Sequence, residues 1–395
     1  MVEPGGRVQI LTVTGMVHHK FGSMERHFVH LAAAARERGH QFVLFTEVAG
    51  DVGGFLEALH AAGGTIVLQP LQSAGLRAWS RALGQLLWRQ DFAVVHVHFS
   101  PASHVALALA AAARVPLRVR TLHSLPEHTG TTPVRTQVLG LTASRLAHQT
   151  IAVSRAVREA YASMAIERAP VVVADLGVDV AAFARDPRDR LRVRVELGLG
   201  PHDLVVGTVS RAEPVKDVGT LVRAMGEAAA IDPHLRLLIV GGGSLEPELR
   251  ATATSLGLDG RVQFLGYRND VTALLAAMDV FVLPSRREGF GLSLVEAACQ
   301  GLPVLGSAIG GIAEIVGDDA FGWLFPPGDA PALARQLLTL AGDPHLRARL
   351  GRLARERADT YEVRARTADL IAGYEAWLQR VRMRFALRAG IGASR

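Results

Sequence analysis

The sequence predicts an α/β protein built of two halves, each a parallel sheet covered by helices on both faces. Three observations predict it. Short apolar strands alternate with helix-period stretches from residue 8 to about residue 300, the pattern that parallel strands and their crossovers require. The alternation breaks once, at the charged and poorly apolar stretch Arg185–Arg194, and then restarts. A chain of 395 residues with 49% hydrophobic content is too long for one ordinary core and suits two domains of roughly 150–200 residues.

The first half is read element by element. Val8–Thr14 is a strand that ends in a loop through Gly15 and Gly22. Met24–Arg38 has Phe28, Leu31, Ala32 and Ala35 on one helical face and Gly39 as its stop. Strands follow at Gln41–Thr46, Thr65–Leu68, Ala93–His98, Leu117–Thr121, Thr150–Val153 and Val171–Ala174, with helices such as Ala102–Ala113 and Arg155–Met164 between them. The second half repeats the scheme. Leu204–Val209, Leu235–Val240, Val262–Leu265 and Val280–Leu283 are strands; Asp217–Ala230, Glu246–Leu256 and Leu292–Cys299 are helices. The expected domains are 1–184 and 185–361, with 362–395 as a closing helix and tail. Two Rossmann-like halves place ligands outside the C-terminal ends of their strands, and a cleft between the halves is the expected site.

Composition narrows the function. The net charge is +6, and residues 347–395 alone carry +7, so the remaining chain is close to neutral at −1. That distribution leaves no nucleic-acid footprint. Only two of the 43 basic residues, Lys20 and Lys216, are Lys; an individual Arg is therefore uninformative and a Lys is not. Cys299 is the only cysteine, which excludes an internal disulfide and fits a reducing, cytoplasmic setting. The N-terminus lacks a signal-peptide pattern, and the longest apolar run, Val105–Ala113, is nine residues, too short to span a membrane.

Several segments carry phosphate chemistry. Glu288-Gly-Phe-Gly-Leu-Ser-Leu-Val-Glu296 follows a strand and opens a helix. Gly289 and Gly291 allow close backbone approach, and the helix N-terminus suits a diphosphate. Glu288 before the helix and Glu296 about two turns along it fit contacts with different parts of one extended ligand, or solvated acids near a helix start. Arg211 and Lys216 lie five residues apart in the loop after Leu204–Val209, where two cations suit phosphate oxygens; for Arg211 a plain surface cation fits equally. Gly241-Gly242-Gly243 lacks the dinucleotide spacing and is either a glycine turn or a nucleotide contact. Gly22 and Ser23 open a helix, where they offer N–H groups to a phosphate or where Ser23 is simply the cap. His123 ends a strand, a position shared by site and structural histidines. His96 and His98 alternate on one strand and read as structural. No D-x-D pair, P-loop, G-x-S-x-G or H-E-x-x-H occurs, so no resident metal is expected.

Together these residues resemble the family 4 retaining glycosyltransferases. The resemblance is densest over about residues 205–330, through Ser210-Arg211…Lys216, Val240-Gly-Gly-Gly243, Asp279-Val-Phe-Val-Leu-Pro-Ser285, Glu288-Gly-Phe-Gly291…Glu296, Gly301-Leu-Pro-Val304 and Gly310-Gly-Ile-Ala-Glu-Ile-Val316. It is looser in the first half, where Gly22-Ser23-Met24-Glu25 stands for a Gly-Gly-x-Glu loop and Ile151-Ala-Val-Ser154 matches well.

The resemblance implies the GT-B fold, with parallel sheets facing a central cleft and a final helix, Glu362–Leu378, crossing back to the first domain. It implies that Arg211 and Lys216 hold a diphosphate, and that Glu296 holds ribose while Glu288 contacts the donor sugar. Gly289, Phe290, Gly291, Leu292 and Ser293 then line the phosphate, and Gly241, Gly242 and Arg268 lie toward the nucleotide. Gly22 and Ser23 approach from the opposite domain, and His123 meets the donor sugar. The implied reaction is retaining, metal-independent hexosyl transfer from a UDP- or GDP-sugar to a glycan, lipid-linked or small-molecule acceptor, as in bacterial cell-envelope or exopolysaccharide synthesis. Two rivals remain at this stage: another sugar-nucleotide enzyme such as an epimerase, and a two-domain sugar-binding protein without turnover. The tail around Arg380–Arg388 alternates basic and apolar residues both as helix and as strand, and suits an anionic membrane face or a disordered Arg-rich end.

Overall fold

A computed structural model describes residues 7–18, 21–48, 52, 54–71, 73–98, 102–126, 134–164, 167–317 and 321–388. The chain divides into two compact units, residues 1–177 with 363–395, and residues 178–362. The part of the basic tail beyond Arg388 lies outside the described residues.

In the first unit the strands are β1 (Gln9–His18), β2 (Gln41–Val48), β3 (Gly64–Leu68), β4 (Phe92–His98), β5 (Leu117–Leu122), β6 (Gln149–Ala152) and β7 (Val171–Val173). The helices between them are α1 (Ser23–Glu37), α2 (Phe55–Ala61), α3 (Gly75–Arg89), α4 (Ser103–Ala112), α5 (Val134–Leu146) and α6 (Arg155–Ser163). All pairs are parallel, in the order β3-β2-β1-β4-β5-β6-β7. The order reverses between β1 and β4, which fixes where a ligand finds a crevice. One sheet face is filled by Leu11, Val13, Phe45, Val95, Val97, Trp79 and Leu83. Trp79 is fully buried and meets Phe45 edge-on at 5.6 Å. β1 runs to His18 rather than stopping at Thr14, because Val17 and His18 resume pairing with β2 after an irregularity at Val13.

The second unit opens with α7 (Pro187–Glu196) and continues through β8 (Leu204–Val209), α8 (Val218–Ala229), β9 (Leu235–Val240), α9 (Glu246–Ser255), β10 (Val262–Gly266) and α10 (Val271–Ala277). It then adds β11 (Val280–Leu283), α11 (Leu292–Cys299), β12 (Val304–Ser307), α12 (Gly310–Val316), β13 (Gly322–Phe325), α13 (Ala330–Gly342) and α14 (Pro344–Ala358). The parallel order β10-β9-β8-β11-β12-β13 repeats the first unit's scheme, with its reversal between β8 and β11.

The charged stretch that breaks the sequence rhythm is a helix, α7. Asp186 caps it, accepting from the Arg188 N–H at 2.8 Å. It buries one apolar residue, Val193, and docks otherwise through its arginines. Arg190 donates to the carbonyls of Ala276, Ala277 and Met278 and to Asp279 at 2.7 Å. Arg194, buried, donates to Ala277, Gly200 and Asp203 carbonyls. Carbonyls at the end of a helix lack intrahelical partners, and these two guanidinium groups satisfy those of α10. Hydrophobic periodicity is blind to that mode of docking.

The last helix, α15 (Val363–Arg388), belongs to the first unit. It buries Ile371, Tyr374 and Leu378 and packs on α1. Glu375 accepts from Arg38 at 2.7 Å and from His40 Nε2–H at 3.0 Å. The helix extends ten residues beyond Leu378, so the Arg380–Arg388 stretch is helical rather than extended.

Candidate functional site

In the second unit, the loops after β8 and β11 leave neighbouring strand ends at the reversal of strand order. Arg211 is exposed at the start of the β8 loop; Lys216 ends a short 3-10 turn in it. The β11 loop carries Glu288. Lys216 Nζ donates to Glu288 Oε2 at 2.5 Å, and both side chains are largely buried. Ser285 Oγ donates to the same carboxylate oxygen at 3.2 Å. The loops are also joined by the Arg286 N–H donating to the Val215 carbonyl at 2.9 Å, and by Arg286 Nε to Asp217 at 2.9 Å. The structure therefore brings Lys216 and Glu288 into direct contact. Ser285 and Asp217 are additions that sequence reasoning missed; the only signal was their position at a strand end and a helix start.

Gly291 is the residue before α11, with φ +112, a region closed to L side chains. This glycine turns the end of the β11 loop into α11. The first N–H groups of that helix, those of Leu292 and Ser293, have no carbonyl one turn earlier to bond. Leu292 and Ser293 are half-buried, whereas Gly289 and Phe290 are buried, Phe290 edge-on against Tyr361 at 5.6 Å. Glu296 lies one turn into α11, not two, and is buried.

Gly241, at φ +122, follows β9; a Cβ there would sit 2.1 Å from the Ser210 carbonyl oxygen. The Ala212 N–H donates to the Gly242 carbonyl at 3.0 Å. The glycine segment thus supports the Arg211 loop from behind, as a turn does. Arg268 makes a two-point contact with Asp270, at 2.7 Å through Nε and Nη2, and reaches Glu196 at 3.0 Å. These carboxylates push its pKa further up. Its guanidinium is engaged by protein, which leaves the backbone around it for any ligand.

In the first unit, Gly22 rather than Ser23 is the residue capping α1, so plain capping by Ser23 does not hold. The Gly22 N–H donates to Glu25 Oε2 at 2.9 Å, and His18 Nδ1–H donates to Glu25 Oε1 at 2.6 Å. Ser23 is buried beside them.

His123 follows β5 and is not solitary. Its Nε2 lies 3.0 Å from His98 Nδ1; His98 Nε2 lies 3.1 Å from His96 Nδ1. His27 packs edge-on to His98 at 6.4 Å between ring centres, and its Nδ1–H donates to the Leu176 carbonyl at 2.9 Å. Burial, then the neighbouring imidazoles, hold His96, His98 and His123 well below the ordinary histidine range. Burial lowers His27 to about 4. All four are neutral near pH 7. His96 and His98 read as structural in the sequence, yet His98 contacts a site candidate and His96 contacts His98. The signal available was register: β4 and β5 are neighbours, and His96 pairs with Val119.

Residues 189–357 match the family described as glycosyl transferases group 1, and residues 24–182 that described as glycosyltransferase family 4. The phosphatidyl-myo-inositol mannosyltransferase of Mycolicibacterium smegmatis is 30% identical over 372 residues, 90% of each chain. The D-inositol 3-phosphate glycosyltransferase of Nocardia farcinica is 29% identical over 412 residues, 95% of this chain and 88% of that one. Among solved structures, Anabaena HepE in complex with UDP and glucose is 27% identical with a TM-score of 0.78, covering 93% of this chain and 98% of the other.

Proposed function

Because the chain belongs to glycosyltransferase family 4, we propose that it moves a hexose from a UDP- or GDP-sugar, with retention and without a divalent cation. The chain is a glycosyltransferase; the donor, the acceptor and the residue roles are the proposal. The observation that carries it is the Lys216–Glu288 contact, which unites two loops at the reversal of strand order.

Departure of a nucleoside diphosphate develops negative charge on its phosphate oxygens. Lys216, Arg211 and the first N–H groups of α11 supply fixed positive potential for it, the largest single catalytic effect available to such a site. Lys216 exchanges its Glu288 contact for a phosphate oxygen when donor binds, which frees Glu288 for a sugar hydroxyl. Glu296 takes the ribose hydroxyls. The Gly22–Ser23 turn of the first unit, its Gly22 N–H held by Glu25, contributes backbone to the phosphate, and His123 accepts from the donor sugar. The C1–O bond to the diphosphate breaks, a C1–O bond to the acceptor forms on the same face, and the acceptor proton passes to the departing phosphate oxygen.

A uridine donor is supported by HepE, whose structure holds UDP and glucose. An inositol-type or lipid-linked acceptor is supported by the names of the two relatives. Among the described residues no helix is long and apolar enough to cross a membrane. The end of α15 exposes Met383, Phe385 and Leu387 beside Arg380, Arg382 and Arg384, which suits peripheral contact with anionic lipid.

The test is steady-state transfer with UDP-, GDP- and ADP-hexoses with and without EDTA, followed by NMR of the product anomer. Lys216→Ala is expected to lower kcat by about 10²–10³, and Lys216→Arg to leave most of that loss, since a planar fork does not replace a compact ammonium. An inverted anomer, or wild-type turnover in Lys216→Ala, refutes the assignment.

A further inference from the structure

Three helices cover one face of the first unit's sheet. α3, α4 and α5 pack side by side and bury Trp79, Leu83, Leu107 and Ala143 against the strands. None of the three contains an Asp or a Glu. The helices gathered around α1 differ: α1 carries Glu25 and Glu37, α2 carries Glu57, and α15 carries Asp369 and Glu375. The near-neutral sum of residues 1–346 conceals this segregation, because composition adds charges and does not place them.

The outward surface of the α3–α5 layer is cationic and apolar at once. On α3 the helical repeat sets Arg77, Arg81, Gly84 and Trp88 in one stripe, turned away from the buried Trp79 and Leu83. On α5 it aligns Val138, Thr142 and Arg145, all exposed; α4 shows Ala108 and Ala112, and Arg114 follows it. Arg77, Arg81, Arg89, Arg114 and Arg145 are exposed, and none of their side chains makes an ion pair or hydrogen bond with another described residue. Elsewhere on the surface, Arg192, Arg250 and Arg286 find Asp189, Glu246 and Asp217.

Trp88 is 64% exposed, and its seat is built into the helix. A Cβ on Gly84, one turn earlier, would stand 2.9 Å from the indole. The ring therefore lies along the helix over a residue without a side chain. Glycine inside a helix costs stability; here it holds a large aromatic ring at the surface between arginines. Leu76 and Val138 add exposed apolar area to the same layer.

The end of α15 reaches the edge of this layer. Burial, then Arg118 and Arg384, lower His148 to about 4, which places Arg384 beside the turn that follows α5. The exposed Met383, Phe385 and Leu387 border a larger surface rather than forming an isolated patch.

We propose that α3, α4 and α5 form the face on which the first unit docks to an anionic lipid surface, with Trp88 as its interfacial anchor. Arginines with no acid among them add in sign toward lipid phosphates, and an indole settles between headgroups and acyl chains. A nucleic acid would use the cations and leave Trp88, Leu76 and Val138 without apolar partners. The docking face does not depend on the transfer reaction proposed above, and a chain inactive with every donor leaves it standing.

The test is sedimentation of the full-length protein with vesicles of phosphatidylglycerol and phosphatidylcholine, against phosphatidylcholine alone. The wild type is expected to bind the anionic vesicles only, and to be released by salt. Arg77→Gln/Arg81→Gln is expected to weaken binding about 25-fold, about fivefold for each cation. Arg349→Gln/Arg352→Gln, the same charge change at exposed positions of α14, is expected to leave binding unchanged, and both variants to melt within a few degrees of the wild type. Lipid brominated in its acyl chains is expected to quench part of the tryptophan emission, and Trp88→Phe to remove most of that quenching. Absence of wild-type binding overturns the inference, as does wild-type binding by Arg77→Gln/Arg81→Gln or quenching that survives Trp88→Phe. Binding lost on deleting residues 385–395 and kept in the double variant assigns the contact to the tail alone and overturns it too. Retention on DNA or on an acidic peptide without vesicle binding overturns it in favour of a soluble polyanion.

Discussion

His27 ties the stability of the first unit to pH through one well-defined group. Its ring is buried on α1, its Nδ1–H donates to the Leu176 carbonyl at 2.9 Å, and burial lowers its pKa from 6.5 to about 4. Below pH 6.5 the unfolded chain takes up a proton at this residue, while the folded protein does not until the pH nears 4. The unfolded state binds more protons across that window, so stability is full above pH 6.5, falls as pH falls, and levels off below the folded value. At pH 5 the unfolded group is 1.5 units past its midpoint, which at about 1.4 kcal/mol per unit costs the fold about 2 kcal/mol. His96, His98 and His123 are shifted in the same direction by the same cause and add to the loss. The variant that isolates the effect is His27→Asn, whose amide replaces the Nδ1–H donor toward Leu176 and does not titrate. Urea unfolding followed by tryptophan fluorescence in a Trp323→Phe background reads the first unit, because the other three of the four tryptophans, Trp79, Trp88 and Trp377, all belong to it. Between pH 7 and pH 5 the variant is expected to lose about 2 kcal/mol less than the wild type. Parallel pH profiles for the two proteins would refute the buried, neutral assignment.

Three other perturbations have stated outcomes. Arg190→Ala strips the carbonyls at the end of α10 of a charged donor and is expected to lower the stability of the second unit by about 2–3 kcal/mol, read as a shift of the urea midpoint. Gly241→Ala places a Cβ 2.1 Å from the Ser210 carbonyl at φ +122; a loss of about 2 kcal/mol or more is expected, with nucleotide affinity falling alongside because the Arg211 loop rests on that turn. Deleting residues 385–395 is expected to weaken sedimentation with anionic vesicles and to spare hydrolysis of a water-soluble donor; equal sedimentation of both proteins rules out the membrane contact of the tail.

Much of the fold was legible because its information is local. The strands Val280–Leu283 and Leu235–Val240 are continuous apolar runs, and buried parallel strands need nothing more. Gly15 reads as a turn and ends the first strand at Thr14 in the sequence, whereas pairing of β1 with β2 resumes beyond it at Val17. α7 was missed for a different reason. Its buried face holds one apolar side chain, Val193, beside guanidinium groups that meet the carbonyls of α10, and a helix held that way has the hydropathy of a solvated loop.

The site divides along the same line. Its second-unit residues occupy two short loops, each tied to a strand end and marked by glycines, and a single distance, Lys216 to Glu288 at 2.5 Å, joins them. Its first-unit residues carry no such mark. That His98 touches His123 depends on the register of β4 against β5, and that His96 meets a phenol depends on α15 returning after the whole second unit has been built. Neither fact exists in any window of sequence. A histidine read in isolation is rightly taken as structural; it takes the strand register and the returning helix to bring three such histidines and the phenol of Tyr374 into contact. The four rings gathered there, His27, His96, His98 and His123, are also the ones that make the first unit sensitive to acid, because they are buried where only their neutral forms are stable.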